Sequence, residues 1–404
     1  MKSTTPRRTF LKTSVAIPAA ILAGQATAKN SDTKKASSGS SPLPTRKLGR
    51  NGPEVCMISM GGLVKPHSAE YLELAWNYGI RYFDTARRYS GGRSERNIGN
   101  WIKQNKELRK ELFLVTKEPS ENGPEMMLDS IDDRLKALNT DYIDLFFLHG
   151  IGTGKHGRDS LNWPKSDRFR KVYDTLKESG KAKMVGFSCH DDALIEYLNA
   201  AADGGFVDAI MLQYNPFFKK GDALDQALDR CYDKGIGLIA MKEMRPFASM
   251  PKQHPELEKQ GLTSHQALLQ QVWSDERISS ICSAMENEGH IIENTGAART
   301  YQKIDQNARR ALQEIAMLPA IPMCPGCGPC REKAKETLYA YMDISRYVNY
   351  YEQDGDTSAR GLYADLPKTA KTCSSHELEE LRDSCEYHVD YPEIARRAER
   401  YFIA

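Results

Sequence analysis

Three things are scarce in this chain: net charge, cysteine and long apolar runs. Formal charge is only +2 over 404 residues, and Lys2, Arg7, Arg8 and Lys12 near the start supply four positive charges, so the remainder is slightly acidic. No basic footprint for nucleic acid is present. Nine cysteines are few for a disulfide scaffold of this length. No stretch approaches the roughly 20 apolar residues of a membrane-spanning helix, so no stable membrane anchor is expected. What is present is an ordinary soluble composition, 40% hydrophobic, long enough to bury one large core or two smaller ones.

The first 28 residues have the form of an export signal. Pro6-Arg-Arg-Thr-Phe-Leu-Lys12 is followed by an apolar run from Ser14 to Gly24 and a small-residue cleavage site, Ala26-Thr-Ala28. The paired arginines resemble a twin-arginine signal, which implies transport of the folded protein by the twin-arginine translocation machinery to a periplasmic or other extracytoplasmic location. Gln25 stands where a lipoprotein signal has cysteine, so a released protein is expected. Residues 29–45, rich in Lys, Ser and Gly, read as a flexible linker.

Beyond it, short apolar runs alternate with amphipathic stretches. The runs are Val55–Met60, Arg81–Ala86, Leu112–Glu118, Tyr142–His149, Met184–His190, Ala209–Asn215, Gly237–Met244 and Ile278–Ser283. Between them lie helical patterns such as Met126–Leu138, with Met127, Ile131, Leu135 and Leu138 on one face. Eight strand–helix units in about 250 residues predict an α/β fold, a (β/α)8 TIM barrel over residues 46–315, in preference to a doubly wound sheet. Residues 316–404 form a mainly helical, cysteine-containing C-terminal extension.

The ends of three successive strands carry Asp84 and Tyr89, Lys117, and His149. Reducing a carbonyl with hydride requires a proton on the oxygen, and a tyrosine with a pKa near 10 is too weak an acid alone. A neighbouring Lys117 ammonium lowers that pKa, Asp84 keeps the lysine charged, and His149 orients the carbonyl oxygen. Through Gly79-Ile-Arg-Tyr-Phe-Asp-Thr-Ala-Arg-Arg-Tyr-Ser-Gly-Gly-Arg-Ser-Glu-Arg-Asn-Ile-Gly99 the chain resembles the aldo-keto reductases, over roughly residues 46–300. The resemblance implies catalytic roles for Asp84, Tyr89, Lys117 and His149, a nicotinamide cofactor (NADP or NAD), and a small carbonyl or alcohol substrate.

It also implies a cofactor pocket, with departures. Ser188 matches a carboxamide ligand, whereas Cys189 replaces the neighbouring Asn and Met211 the usual Gln, leaving Gln213 as a substitute two residues on. Met241 stands where an aromatic commonly stacks on nicotinamide, and Lys242 is left to reach a phosphate. Glu293 and Asn294 match the adenine-contacting pair. Ala284 and His290 occupy the positions of two cations that grip a 2′-phosphate, so NADP and NAD both stay open. The segment Gly150–Asp167 falls on the catalytic face and shapes substrate access.

Cys56, Cys189, Cys231 and Cys282 lie in apolar runs and read as small buried hydrophobes. Cys324-Pro-Gly-Cys327-Gly-Pro-Cys330 is different, because two-residue spacing in a Gly/Pro-rich turn directs three thiolates at one centre. It is similar to the first ligands of a bacterial ferredoxin motif. That likeness implies Cys385 as the fourth ligand of one 4Fe-4S cluster, since Ala334 occupies the local fourth position. Glu386 departs from the usual following proline. Structural zinc, disulfides and free thiols are the alternatives, and Cys373 has no assigned role. Functionally, an exported NAD(P)-dependent oxidoreductase is expected. The rivals are a barrel that binds ligand without turnover and an iron-sulfur electron carrier.

Overall fold

The computed structural model describes residues 41–61, 68–218, 220–317, 323–326, 336–366 and 368–403. The expected export signal therefore lies outside the described residues, as do Cys327 and Cys330. Packed structure is present slightly before the expected boundary at 46: Leu43 is 2% exposed and a strand, β1, already starts at Thr45.

β1 (Thr45–Lys47) pairs antiparallel with β2 (Glu54–Cys56), and Arg46 donates to the carbonyls of Trp273, Asp275 and Ile278. This hairpin takes the first half of the run expected as one strand, and β3 (Ile58–Gly61) takes the second. The remaining strands are β4 (Tyr82–Asp84), β5 (Phe113–Pro119), β6 (Ile143–Ile151), β7 (Ala182–Cys189), β8 (Ala209–Gln213), β9 (Gly237–Met241) and β10 (Ile278–Ala284). Strands β3 to β10 close into one parallel barrel, with β10 against β3. Both faces of each strand are buried, one by the barrel interior and one by helices, which explains why the strands read as continuous apolar runs rather than alternating ones. Phe146, Phe147 and Leu148 in β6 are all fully buried.

Strand β9 ends three residues short of the expected Met244 because Lys242 takes a left-handed φ of 61°, which no strand accommodates. Helix α1 (Ala69–Asn77) follows β3, α2 (Arg93–Gln104) follows β4, and α3 (Met126–Leu138) occupies the expected span and stops at left-handed Asn139. After β6 the spacing Gly152-x-Gly154-x-x-Gly157 has the outward form of a dinucleotide turn. The helix it opens, α4 (Thr153–His156), has only four residues and leads to a 3-10 segment (Arg158–Lys165), so it is a rim element rather than a cofactor helix. Around the rest of the barrel run α5 (Asp167–Glu178), α6 (Leu194–Gly204), α7 (Ala223–Asp233), α8 (Pro255–Glu258), α9 (Ser264–Trp273) and α10 (Glu288–Arg299). Ser166 caps α5, and Thr263 with Gln266 forms a reciprocal capping box on α9.

The C-terminal region is helical: α11 (Gln306–Met317), α12 (Glu336–Asp354), α13 (Ala359–Ala364), α14 (Ser375–Asp383) and α15 (Tyr391–Ala398). It is not an appendage. Phe217, Phe247, Leu268 and Leu312 share a second apolar core with Ile344, Val348, Leu381 and Tyr391. Among the described residues no helix is long and apolar enough to cross a membrane.

Gly186 in β7 marks where close packing fixes the barrel, since a Cβ there would overlap the Ala209 carbonyl and meet the Phe147 ring at 2.8 Å. Gly186→Ala is expected to destabilise the protein by about 1–3 kcal/mol through overpacking, read as a lower midpoint in urea unfolding.

Candidate active site

The four proposed catalytic residues meet at the C-terminal mouth of the barrel. Parallel register sets Asp84 beside Val115 and His149 beside Pro119, so the ends of β4, β5 and β6 lie side by side. Lys117 is 1% exposed; its Nζ donates to Asp84 Oδ1 and, at 2.9 Å, to the Thr85 carbonyl. Tyr89 follows β4 on a tight turn in which Ser90, Gly91 and Gly92 all take positive φ. That run of left-handed backbone reverses the chain just before α2. The Lys117 ammonium lies 5.2 Å from the Tyr89 ring centre, and the ring meets His149 edge-on at 5.7 Å.

Electrostatics at this cluster differ from the sequence expectation in one respect. Burial pushes the Tyr89 phenol up, Lys117 pulls it down and Asp84 pushes it up again, and the net value rises to about 12. The lysine lowers the pKa as anticipated but does not outweigh desolvation. Tyr89 is therefore a protonated acid at neutral pH. Burial draws Lys117 down, but the Asp84 charge prevails and the ammonium is held. Burial and then the surrounding cations Lys117, Lys155, Lys242 and Arg88 press His149 well below its ordinary value, so it is a neutral imidazole.

Cys282, expected to be a buried hydrophobe, does more. Its thiol lies beside Asp84 and Ser59 and fills space left open by Gly61. No local signal in the sequence marks it, because the contact depends on β10 closing against β3.

The expected cofactor residues are all hydrogen-bonded within the protein. Ser188 Oγ accepts from the Gly150 amide at 2.8 Å, and Gln213 Nε2 donates to the Cys324 carbonyl at 3.1 Å. Lys242 bonds the Tyr350 hydroxyl, with its ammonium 4.7 Å from that ring's centre. Glu293 accepts from Thr263 at 2.7 Å and Asn294 donates to Ser283 at 3.1 Å, so these two bond next to their own helix, α10, rather than at the tetrad. The C-terminal region crosses the ends of β7, β8 and β9: Arg346 donates to the His190 carbonyl, Arg245 to Asn349 at 3.0 Å, and Asn215 to Tyr387 at 3.0 Å. A small cleft remains there, lined by His190, Asp191, Gln213, Cys324, Asp343 and Arg346 among others. A hydroxyl, an amide, a cation and a carboxylate–amide pair fit a dinucleotide in kind. Two of them, Gln213 and Lys242, are held by the chain's own C-terminal segment.

Cys324 and Cys385 are buried in the same apolar cluster, and the Gly326 amide points at Cys324 Sγ at 3.4 Å. Buried sulfur met by a backbone N–H is a setting that suits a metal-bound thiolate.

The aldo/keto reductase family profile matches residues 56–316, and the chain belongs to that family. It is an aldo-keto reductase-type oxidoreductase. L-galactose dehydrogenase of Arabidopsis thaliana is 23% identical over 311 residues, 69% of this chain and 95% of the relative. The aldo-keto reductase yakc (NADP(+)) of Schizosaccharomyces pombe is 31% identical over 196 residues, 43% of this chain and 53% of its own length. Among solved structures, aldo-keto reductase AKR11C1 from Bacillus halodurans in its holo form superposes with a TM-score of 0.52 at 20% identity, covering 68% of this chain and 96% of its own. These structural likenesses establish the fold.

Tyr350→Phe removes the hydroxyl that competes for Lys242. NADPH, titrated by fluorescence quenching, is expected to bind about two- to tenfold tighter, the equivalent of one hydrogen bond of roughly 0.5–1.5 kcal/mol.

Proposed function

We propose that the protein is an exported NAD(P)-dependent reductase that converts a small carbonyl to an alcohol, or the reverse, with Tyr89 as the acid or base. The observation that carries this reading is the contact of Tyr89 with a buried, Asp84-held Lys117, with neutral His149 against the same phenol ring. A bound nicotinamide supplies or accepts the hydride. The chain's own residues do the remainder: His149 orients the carbonyl oxygen, Tyr89 gives it a proton, and Lys117 stabilises the phenolate left behind. The relative named for NADP(+) supports a nicotinamide of that kind, and the loss of both 2′-phosphate cations at Ala284 and His290 leaves NAD open.

A phenol at about 12 favours reduction at neutral pH, since the acid form is already present. Oxidation needs the phenolate, whose fraction rises about tenfold per pH unit below that value. Carbonyl reduction should therefore be nearly flat from neutral to mildly alkaline pH while alcohol oxidation climbs without a plateau. Tyr89→Phe should lower kcat by about 10²–10⁴-fold in either direction, the range of a lost general acid. A protein whose carbonyl turnover survives Tyr89→Phe is not this enzyme. Should the wild type bind nucleotide yet turn nothing over, the reading as a ligand-binding barrel is the correct one; the engagement of Gln213 and Lys242 by the C-terminal segment favours that second reading.

We further propose that Cys324, Cys327, Cys330 and Cys385 hold one 4Fe-4S cluster, with zinc as the alternative occupant. The leader's paired arginines support export after folding, which lets such a cluster be inserted beforehand. Anaerobically purified protein should contain about four irons per chain and lose them on Cys385→Ala; one zinc and no visible absorbance would select zinc instead.

A further inference from the structure

Strand β6 departs from regular pairing where it reaches the catalytic mouth. Against β7 its register runs Leu148 beside Phe187 and then Ile151 beside Cys189, three steps on one strand for two on the other. Such an extra residue is a β-bulge, which bends a strand and re-aims the side chains it carries, and the residues inside this one are His149 and Gly150. Gly150 supplies a left-handed φ of +66°. A Cβ on it would meet Lys155 Nζ at 3.7 Å and His190 Nε2 at 3.9 Å, both ordinary contacts, so the glycine answers the backbone angle rather than a want of space.

A bulge leaves a residue out of the ladder, and its buried backbone groups must find other partners. Two hydroxyls serve Gly150: its amide donates to Ser188 Oγ at 2.8 Å, and its carbonyl accepts from Ser120 Oγ at 3.1 Å. Ser120 directly follows β5 and is fully buried. A hydroxyl has one hydrogen, and that of Ser120 goes to Gly150, so the His156 ring, 3.0 Å away, donates its Nε2–H to Ser120 Oγ. Burial and the Lys155 charge hold His156 below its ordinary value, which leaves a neutral ring with its hydrogen on Nε2. That ring packs on Trp163 with centres 4.7 Å apart, and α4, which carries it, is tied at its other end by Thr153 donating to Asp191 at 3.1 Å. His156, Ser120 and the Gly150 carbonyl thus form one directed chain that ends a single residue from His149.

We propose that Ser120 and His156 are positioning residues, which through this chain hold the bulge in the shape that sets the His149 imidazole edge-on against the Tyr89 ring. The inference rests on the reductase reading above. Their part is to place His149, not to touch the substrate. His149 and Tyr89 must meet one carbonyl oxygen together, and a displacement of about 1 Å in such a group can cost about a hundredfold in rate.

The test has two arms, and Ser188 is left unaltered in both because a cofactor role is expected of it. In the first, reduction of 4-nitrobenzaldehyde is followed with NADPH and with NADH. Ser120→Ala and His156→Leu should each lower kcat by about ten- to a hundredfold while the Kd for nucleotide changes little. His156→Gln, whose amide puts an N–H where Nε2 stood, should recover most of the lost kcat. In the second, 15N-histidine NMR of the wild type should show His156 as the Nε2–H tautomer, its resonance assigned by its loss in His156→Gln; this arm needs no turnover. An Nδ1–H tautomer at His156, an unchanged kcat in Ser120→Ala, or a loss in His156→Leu that His156→Gln does not recover overturns the inference and leaves the reductase reading intact. A wild type that does not reduce the aldehyde overturns both.

Discussion

The ion pair between Lys117 and Asp84 is the constraint around which the mouth of this barrel is arranged. Two charges buried this deeply cost several kcal/mol each to desolvate, and an apolar pair of similar volume would generally be no less stable. Their presence is therefore a sign of chemistry rather than of folding. The Thr85 carbonyl accepts from the ammonium, and the Cys282 thiol and the Tyr89 ring lie beside the pair. The consequence for the phenol is a balance between burial and charge, and burial prevails.

Much of this was legible in the sequence because strand ends in a parallel barrel are set by a simple rhythm. Once eight apolar runs are counted, Asp84, Lys117 and His149 fall on one rim with no further information. Boundaries failed where a single backbone angle decided them, as at Lys242, or where one run served two elements, as at Met57. The pull of Lys117 on the Tyr89 phenol was legible, but the larger push of burial was not, because a chain of letters shows which charges are near but not how little water reaches them. Cys282 was read only as a space-filling residue for a related reason, its partner being on a strand nearly two hundred residues away.

Three of the expected cofactor residues, Ser188, Gln213 and Lys242, lie at the ends of β7 to β9, yet their bonding was invisible in the sequence. Gln213 meets Cys324 and Lys242 meets Tyr350, contacts made by a segment that follows the whole barrel.

The second apolar core gives the carboxyl-terminal quarter of the polypeptide a hold on the rest. Leu268 and Leu312 bury their side chains against residues encoded far downstream, among them Val348, Leu381 and Tyr391. A premature stop codon in that stretch of the gene would do more than shorten the product. It would strip the greasy flank of α9 and α11 of its cover and, through Arg346, Asn349 and Tyr350, dismantle one wall of the reaction chamber as well.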